Sequence, residues 1–146
     1  MKPEESIDFH IRWAWHRIMR IYNAEAAKYE TSMSTGYVLL NIDTEEGTPS
    51  TKLGPMMGME PRSLTRILKN MEELGLIHRQ PDPNDKRSVR ICLTPFGLEK
   101  REVSKNTVIT FNKVIQEKMP KEKLANFFEA MSCLNEVLES NDIFKN

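Results

Sequence analysis

The chain has 146 residues, 39% of them apolar, and equal numbers of acidic and basic side chains, so that its formal net charge is zero. This length fits one compact domain with an added oligomerisation element, and no apolar stretch approaches the length of a membrane span. The two cysteines, Cys92 and Cys133, lie far apart and outside any paired motif, which predicts neither a disulfide framework nor a zinc site.

The charges are unevenly distributed along the chain. Residues 52–101 contain ten Lys and Arg against six Asp and Glu, whereas the segments on either side are slightly acidic. A basic region of this kind is weak evidence for a polyanionic partner. The N-terminus shows no basic and apolar leader with a cleavage site, so we expect a cytoplasmic protein with no membrane association.

The first predicted helix runs from about Ser6 to about Tyr29, after an acidic start that is typical of a helix N-terminus. Apolar residues lie on two of its sides, with one long row at helical spacing and a second row that contains Phe9 and Trp13. A helix that is apolar on two sides is usually covered from two directions. We therefore expect it to lie between its own domain and a second subunit; the alternative is a helix at the centre of the core.

Two short helices are predicted next. The segment 34–43, "STGYVLLNID", forms the first, with Tyr37 and Leu40 expected to face inward and Val38 as a further candidate. Thr48 is predicted to cap the second, with Pro49 in its first turn, because the missing N–H of proline costs nothing there. Gly58 is expected to end this second helix.

A fourth helix is predicted from about Pro61 to Leu74, with Gly75 as its left-handed C-cap. Apolar residues recur at helical spacing and define one buried face: Leu64, Ile67, Leu68, Met71 and Leu74. The opposite face is polar, with three basic residues and one acidic residue: Arg62, Ser63, Thr65, Arg66, Lys69 and Glu73. Two short helices joined by a tight turn that contains Gly, the second with a basic polar face, indicate a helix-turn-helix.

A β-hairpin is predicted directly after this helix. The short strand "LIHRQ" and the alternating strand "SVRICLT" flank a turn at residues 81–85. The alternation divides the second strand into an apolar side and an opposite side: Val89, Ile91 and Leu93 against Arg90 and Cys92. A helix-turn-helix followed by a hairpin is a winged helix, so the expected fold is mainly α with a small β-hairpin wing.

The remaining chain is predicted to form two long helices. Thr94 and Pro95 provide a cap and a first turn for a helix that reaches about Lys118 and is roughly 36 Å long. Pro120 interrupts it, and a last helix is expected over residues 121–139. This helix carries a wide apolar stripe: Leu124, Phe127, Phe128, Met131, Leu134 and Leu138.

One small lobe cannot bury both this stripe and the two-sided first helix, so the pattern predicts a homodimer. We expect residues 1–32 and 98–146 to form a helical dimerisation region. Residues 33–97 are expected to form the winged helix-turn-helix lobe that binds DNA.

The segment "GLIHRQPDPNDKRSVRICLTPFG" resembles the wing of the multiple antibiotic resistance regulator (MarR) family. The likeness includes the Asp85 and Arg87 pair, the strand end at Leu93 and Thr94, and Gly97 in the following helix. The resemblance implies a bacterial or archaeal homodimer that binds a pseudo-palindromic operator in double-stranded DNA. It also implies release of that operator when a small ligand or an oxidant is sensed.

The segment "KLGPMMGMEPRSLTRILKNMEELGLI" is similar to the helix-turn-helix of the same family. It departs from the family at Gly54 and Pro55, where small helix-forming residues are common. This departure predicts a shortened or kinked first helix of the motif.

Cations and hydroxyls near the helix-turn-helix are the candidate DNA-binding residues. Arg87 is expected in the minor groove, because a planar, weakly hydrated guanidinium loses little on entering it, and Asp85 is expected to pin the loop or orient Arg87. Base edges are expected to meet the N-terminal part of the fourth helix, and phosphates to meet Lys69 and the start of the third helix. The full set is Thr48, Ser50, Thr51, Lys52, Arg62, Ser63, Thr65, Arg66, Lys69, Asp85, Lys86, Arg87 and Arg90.

The remaining residues leave other functions open. His10, Trp15 and His16 are candidates for a ligand cavity, with core and interface packing as the alternative. Cys92 is either a redox-active or an inert thiol. No catalytic motif, metal site or cofactor site is found, so we expect no enzyme. The expected function is a dimeric transcriptional regulator, a repressor released by a small ligand; the alternatives are a winged-helix module that binds protein and a thiol-based redox sensor.

Overall fold

A computed structural model describes residues 1–140 and 142–144. By their internal contacts, residues 1–107 form one compact unit and the chain from residue 108 onward forms a second. The boundary lies within a long helix, ten residues after the boundary that the sequence suggested at 97/98. The division into a winged lobe and a dimerisation region stays a prediction.

The fold is mostly helical with one small antiparallel sheet, as the sequence predicted. The elements are a 3₁₀ turn (Pro3–Glu5), α1 (Ile7–Ala27), α2 (Met33–Asn41), β1 (Thr48–Pro49), α3 (Ser50–Met57), α4 (Pro61–Glu73), β2 (Ile77–Pro81), β3 (Val89–Leu93), α5 (Pro95–Lys118) and α6 (Lys121–Glu139). The predicted bounds of α4, α5 and α6 are therefore confirmed to within two residues.

The core of the first unit is made by α2, α3, α4 and the sheet. Its buried side chains are Val38, Leu39, Ile42, Leu53, Leu64, Leu68, Met71, Leu76, Ile77 and Ile91. Two expected core residues are exposed, Tyr37 at 39% and Leu74 at 54%, whereas Leu40 and Ile67 are half-buried. On α2 the buried apolar side chains are those of Val38, which was a further candidate, and Leu39, which was not expected. Leu74 lies beyond the last turn of α4, where the chain already leaves the helix for the Gly75 cap.

The sheet has the order β1-β3-β2, with β3 in the centre. Thr48 pairs with Ile91 across β1 and β3, and Ile77 pairs with Leu93 across β2 and β3. The prediction that Thr48 caps α3 was wrong, because Thr48 is a buried strand residue and Pro49 occupies the N-cap position. The hairpin of β2 and β3 was predicted, but β1, the third strand of the sheet, was not.

Glycines end both helices of the helix-turn-helix as predicted. Gly58 ends α3 at φ +60° and Gly75 follows α4 at φ +73°, both in the left-handed region that glycine adopts without strain. α3 contains only eight residues with Pro55 inside it. That Gly54 and Pro55 shorten or kink α3 relative to other members of the family stays a prediction.

Apolar side chains on α1 and α6 remain exposed in the single chain. No residue of α1 is buried, so α1 is not a central core helix of this chain. In α1, Ile7 is 64% exposed and Trp13 is 47% exposed. In α6, Phe128 is 60% exposed and its ring centroid lies 5.6 Å from that of Phe127. Among the described residues, no helix is both long and apolar enough to cross a membrane.

The first turn of α5 packs tightly against the backbone that follows α4. Thr94 Oγ1 accepts a hydrogen bond from the Gly97 N–H at 3.0 Å, as expected of a helix cap, and donates to the Gly75 carbonyl at 2.5 Å. A Cβ atom on Gly97 would collide with the carbonyl oxygen of Leu76. Only glycine fits at this position without moving backbone.

We predict that Gly97→Ala lowers the free energy of unfolding by about 1–3 kcal/mol, because overpacking against backbone cannot be relieved by a rotamer change. Urea unfolding at a fixed protein concentration measures the loss. Gly36→Ala is the matched control, since its Cβ would lie 3.0 Å from the Ser104 side-chain oxygen and alanine favours a helix by up to about 1 kcal/mol. Equal stability of the two variants would contradict the packing argument.

Candidate DNA-binding surface

One face of α4 is exposed, polar and basic. Leu64, Leu68 and Met71 fix the opposite face in the core. The exposed side chains include all five that the sequence assigned to DNA: Arg62, Ser63, Thr65, Arg66 and Lys69. An amphipathic helix held by its apolar face presents such side chains in a constant orientation.

The hydroxyl of Thr65 is already engaged within α4. Thr65 Oγ1 donates to the Pro61 carbonyl at 2.8 Å, while the side chain remains exposed. The bond uses the single O–H hydrogen of threonine and leaves lone pairs on the oxygen. In this conformation Thr65 is an acceptor toward the solvent side.

The start of α3 carries Ser50, Thr51 and Lys52 at the helix N-terminus, with Thr51 and Lys52 exposed. Pro49 makes no side-chain cap bond, so N–H groups of the first turn are available for an anion. Thr48 lies apart from this group. Its hydroxyl accepts from the Asp43 N–H at 2.9 Å and faces the Asn41 carbonyl at 3.4 Å, within the protein. We therefore leave Thr48 out of the surface.

The loop of the wing, residues 82–88, presents Lys86 and Arg87 to solvent at its tip. Asp85 Oδ1 accepts from the backbone N–H of Arg87 at 2.9 Å, and the Asp85 carbonyl accepts from the Ser88 N–H at 3.0 Å. Of the two roles expected for Asp85, the structure shows the first: the carboxylate pins the loop. Lys86 and Arg87 thereby extend from a short, ordered turn.

Arg90 lies at the base of the wing and does not extend from it. Its Nε donates to Asp82 Oδ2 at 3.1 Å, and its Nη1 donates to the carbonyls of Glu46 and Gly47 at 3.2 and 3.4 Å. The side chain is only 19% exposed. The guanidinium is used inside the lobe, so Arg90 is also left out of the surface.

Asp82 is a structural residue of the wing that was not among the residues predicted from the sequence. Its Oδ1 accepts from the Asn84 N–H at 2.8 Å, and its own N–H donates to the Ser88 carbonyl at 3.0 Å. The Asn84 N–H and the Arg90 guanidinium hold the pKa of Asp82 below its ordinary value, against the opposing effect of burial. The Asp-Pro-Asn sequence at the start of the loop is the local signal, since aspartate readily bonds backbone two residues on.

The three residues of α1 that were predicted to bind a ligand have no hydrogen bond or ring contact in common within the described part of the chain. His10 Nε2 lies 2.7 Å from the Glu4 carbonyl, and its ring packs edge-on against Phe9. Trp15 is 43% exposed and His16 is exposed. A ligand role for the three stays a prediction. No cluster of potential metal ligands occurs within residues 1–140 and 142–144.

The two thiols differ in their surroundings. Cys92 is half-buried on β3, beside Gly47, whose φ of +71° lets the turn approach closely: a Cβ there would lie 2.6 Å from Cys92 Sγ. Burial raises the pKa of the Cys92 thiol, and the nearby Arg90 charge opposes this only in part. Cys133 is exposed on α6. The setting of Cys92 favours the inert thiol over the redox-active one, and the choice between them stays a prediction.

Residues 32–89, which contain α2 through the wing loop, match the model of the MarR family. The chain is 29% identical over 115 residues to the HTH-type transcriptional regulator SarZ of Staphylococcus saprophyticus subsp. saprophyticus; the match spans 75% of this chain and 79% of SarZ.

Two solved structures illustrate the likeness in fold. The S. aureus MepR–DNA complex has a TM-score of 0.80 at 17% identity, covering 92% of this chain and 98% of MepR. CouR from Rhodococcus jostii RHA1, bound to p-coumaroyl-CoA, has a TM-score of 0.78 at 21% identity, covering 92% of this chain and 94% of CouR. Sequence and fold agree: the chain belongs to the MarR family and is a winged-helix transcriptional regulator rather than an enzyme.

Proposed function

We propose that the protein is a dimeric, sequence-specific regulator that binds double-stranded DNA through α4 and the wing. The observation that carries the proposal is the exposed basic face of α4, which lies in the same compact unit as the exposed cations Lys86 and Arg87. In winged-helix proteins the recognition helix enters the major groove, and a basic projection reaches the minor groove or the phosphates. MepR, which has this fold, has been solved with DNA.

The residues divide by role in the proposed complex. Arg62, Ser63, Thr65 and Arg66 would meet base edges, because they lie in the first turns of α4. Lys69 and the start of α3 would meet phosphates. Arg87 would enter the minor groove, and Lys86 would meet the adjoining backbone.

A protein-binding winged-helix module is the rival function. A docking face for protein is usually rich in aromatic and other large apolar residues. The outward face of α4 within Pro61–Glu73 consists of charged and small polar side chains. This composition favours DNA.

We also propose that two copies assemble through α1 and α6. Both helices expose large apolar side chains in the single chain, including Ile7 and Trp13 on α1 and Phe127 and Phe128 on α6. Large apolar side chains that are exposed in this way are typical of a protein–protein interface. With two-fold symmetry, the two recognition helices would lie about one DNA turn apart, roughly 34 Å, and the operator would be an inverted repeat.

The regulator is proposed to be a cytoplasmic repressor that is released by a small ligand. CouR, a protein of the same fold, has been solved with p-coumaroyl-CoA, an aromatic and anionic compound. We propose an effector of similar character, aromatic or anionic, for this chain. Its site would include the region of His10, Trp15 and His16.

The assembly is tested first. We predict that light scattering at micromolar concentration gives twice the 17.0 kDa mass of the chain. Phe128→Glu should dissociate the dimer and abolish DNA binding, because a charge in an apolar interface lacks a partner. Asn126→Glu is the matched control, since it places the same charge on an exposed residue of α6 that is not part of the apolar stripe. A folded monomer in the wild type would refute the proposal.

The roles of Arg87 and Arg66 are tested together, on a duplex that the wild type selects from a random pool. Arg87→Ala should weaken binding to every sequence, reduce the salt slope by about 1 and erase any preference for A·T-rich flanks. Arg66→Ala should relax discrimination within the half-site by about 1–3 kcal/mol per lost base contact.

Arg79→Ala is the control for both, because Arg79 is a cation of the wing whose Nε lies 3.1 Å from Glu72 Oε2 and which is outside the proposed contacts. If Arg87→Ala binds like the wild type at several salt concentrations, the wing has no role in recognition.

The effector is tested against the redox alternative. Because burial raises the pKa of Cys92, its thiolate fraction at neutral pH is low, and we predict that peroxide leaves DNA binding unchanged. Aromatic acids should instead weaken binding, and Trp13 and Trp15 would report their uptake by fluorescence. Loss of binding after peroxide in the wild type, but not in Cys92→Ser, would replace the ligand proposal by a thiol switch.

A further inference from the structure

The base of the wing is tied to the turn between α2 and β1 by a single side chain. Arg90 bonds Asp82 at the start of the wing loop and the carbonyls of Glu46 and Gly47 in the turn. These four residues form the wing clasp. It joins three segments of the chain: Nε donates a hydrogen bond to the carboxylate, and Nη1 donates to the two carbonyls.

The turn is a fixed anchor for the clasp. Asp43 Oδ1 accepts from the N–H groups of Glu45 and Glu46 at 2.9 and 2.7 Å, and the Gly47 N–H donates to the Asp43 carbonyl at 3.2 Å. Gly47 has little room to shift toward β3, because a Cβ on it would already lie 2.7 Å from the Ile91 carbonyl oxygen. The two carbonyls that face Arg90 are therefore held in place.

On the other side, the clasp reaches the residue that closes the wing loop. Asp82 bonds Asn84 and Ser88, and the loop between them carries Lys86 and Arg87. Outside the clasp, the base of the hairpin is held by β1, where Thr48 and Pro49 lie opposite Ile91 and Arg90, and by the buried side chains of Ile77 and Ile91. A two-stranded hairpin beyond such support has little stability of its own. The direction of the wing loop therefore depends on Arg90.

We propose that Arg90 is a positioning residue for DNA recognition: by holding Asp82 against the α2–β1 turn, it fixes the orientation in which Arg87 meets the minor groove. The inference rests on the proposed DNA-binding role of the wing. Arg90 does not touch DNA in this scheme, in keeping with its 19% exposure. Lysine at this position would offer one nitrogen in place of Nε and Nη1, so it would keep only part of the clasp.

The experiment measures DNA affinity of the full chain on the duplex selected by the wild type. R90M removes the clasp and keeps the apolar stem. D82N/R90M removes it without leaving a lone carboxylate, while the amide oxygen introduced at position 82 can still accept from the Asn84 N–H. R90K keeps the positive charge but not the guanidinium group. R79M is the matched control, since the Arg79 ion pair with Glu72 is exposed and contributes little. Each variant is made with and without R87A.

We expect R87A, R90M and D82N/R90M each to weaken binding roughly tenfold, equivalent to about 1.4 kcal/mol. The DNA affinity of R90K should lie between that of these variants and that of the wild type, and R79M should bind like the wild type. Combining R90M with R87A should cause no further loss, because both act through the same groove contact. Hydrogen exchange at the Asp82 and Ser88 amides should accelerate in R90M but not in R79M.

The outcomes separate the two proposals. If R87A weakens binding but R90M and D82N/R90M do not, the positioning role is wrong and the wing contact stands. If the losses of R90M and R87A multiply, Arg90 acts independently of Arg87, which also overturns the inference. Unfolding of both R90M and D82N/R90M would make Arg90 a residue of the lobe's stability and overturn it as well. If R87A binds like the wild type, the wing contact itself fails and the inference fails with it.

Discussion

The contact between the first turn of α5 and the chain that follows α4 is the constraint on which the winged lobe depends. The Thr94 N–H donates to the Leu76 carbonyl at 3.1 Å, while the Thr94 hydroxyl bonds both Gly75 and Gly97. The chain that follows the recognition helix, just before β2, therefore meets the start of α5 at Thr94. The absence of a side chain at Gly97 permits this, and the buried side chains of Leu76 and Ile77 complete it.

Sequence reasoning succeeded where backbone chemistry is local. Proline in a first turn and glycine in a left-handed cap act within a few residues, whatever the rest of the chain does. They located the start of α4 at Pro61, the cap at Gly75, the start of α5 at Pro95 and the break at Pro120. The basic face of α4 followed from the same helical period that defines its buried face.

It failed where the decisive partner is distant in the chain. Thr48 has the residue type of a cap, yet pairing with Ile91 makes it a strand residue. Arg90 and Arg87 are the same residue type on one hairpin, and nothing local separates a guanidinium that bonds Asp82 and the Glu46 carbonyl from one that faces solvent. Which arginines are available to DNA is thus a property of the tertiary structure.

The internal bond of Thr65 has a consequence for the chemistry of a cognate base pair. Its hydrogen is given to Pro61, so the hydroxyl oxygen can only receive a hydrogen bond from outside. In the major groove, the exocyclic amino groups of adenine and cytosine are the donors, whereas guanine presents acceptors and thymine an acceptor and a methyl group. In the proposed complex, this side chain would favour an amino group over a carbonyl oxygen at the position that it faces. Arg62 and Arg66 can only donate hydrogen bonds, so Thr65 would add an acceptor to the surface that reads the half-site.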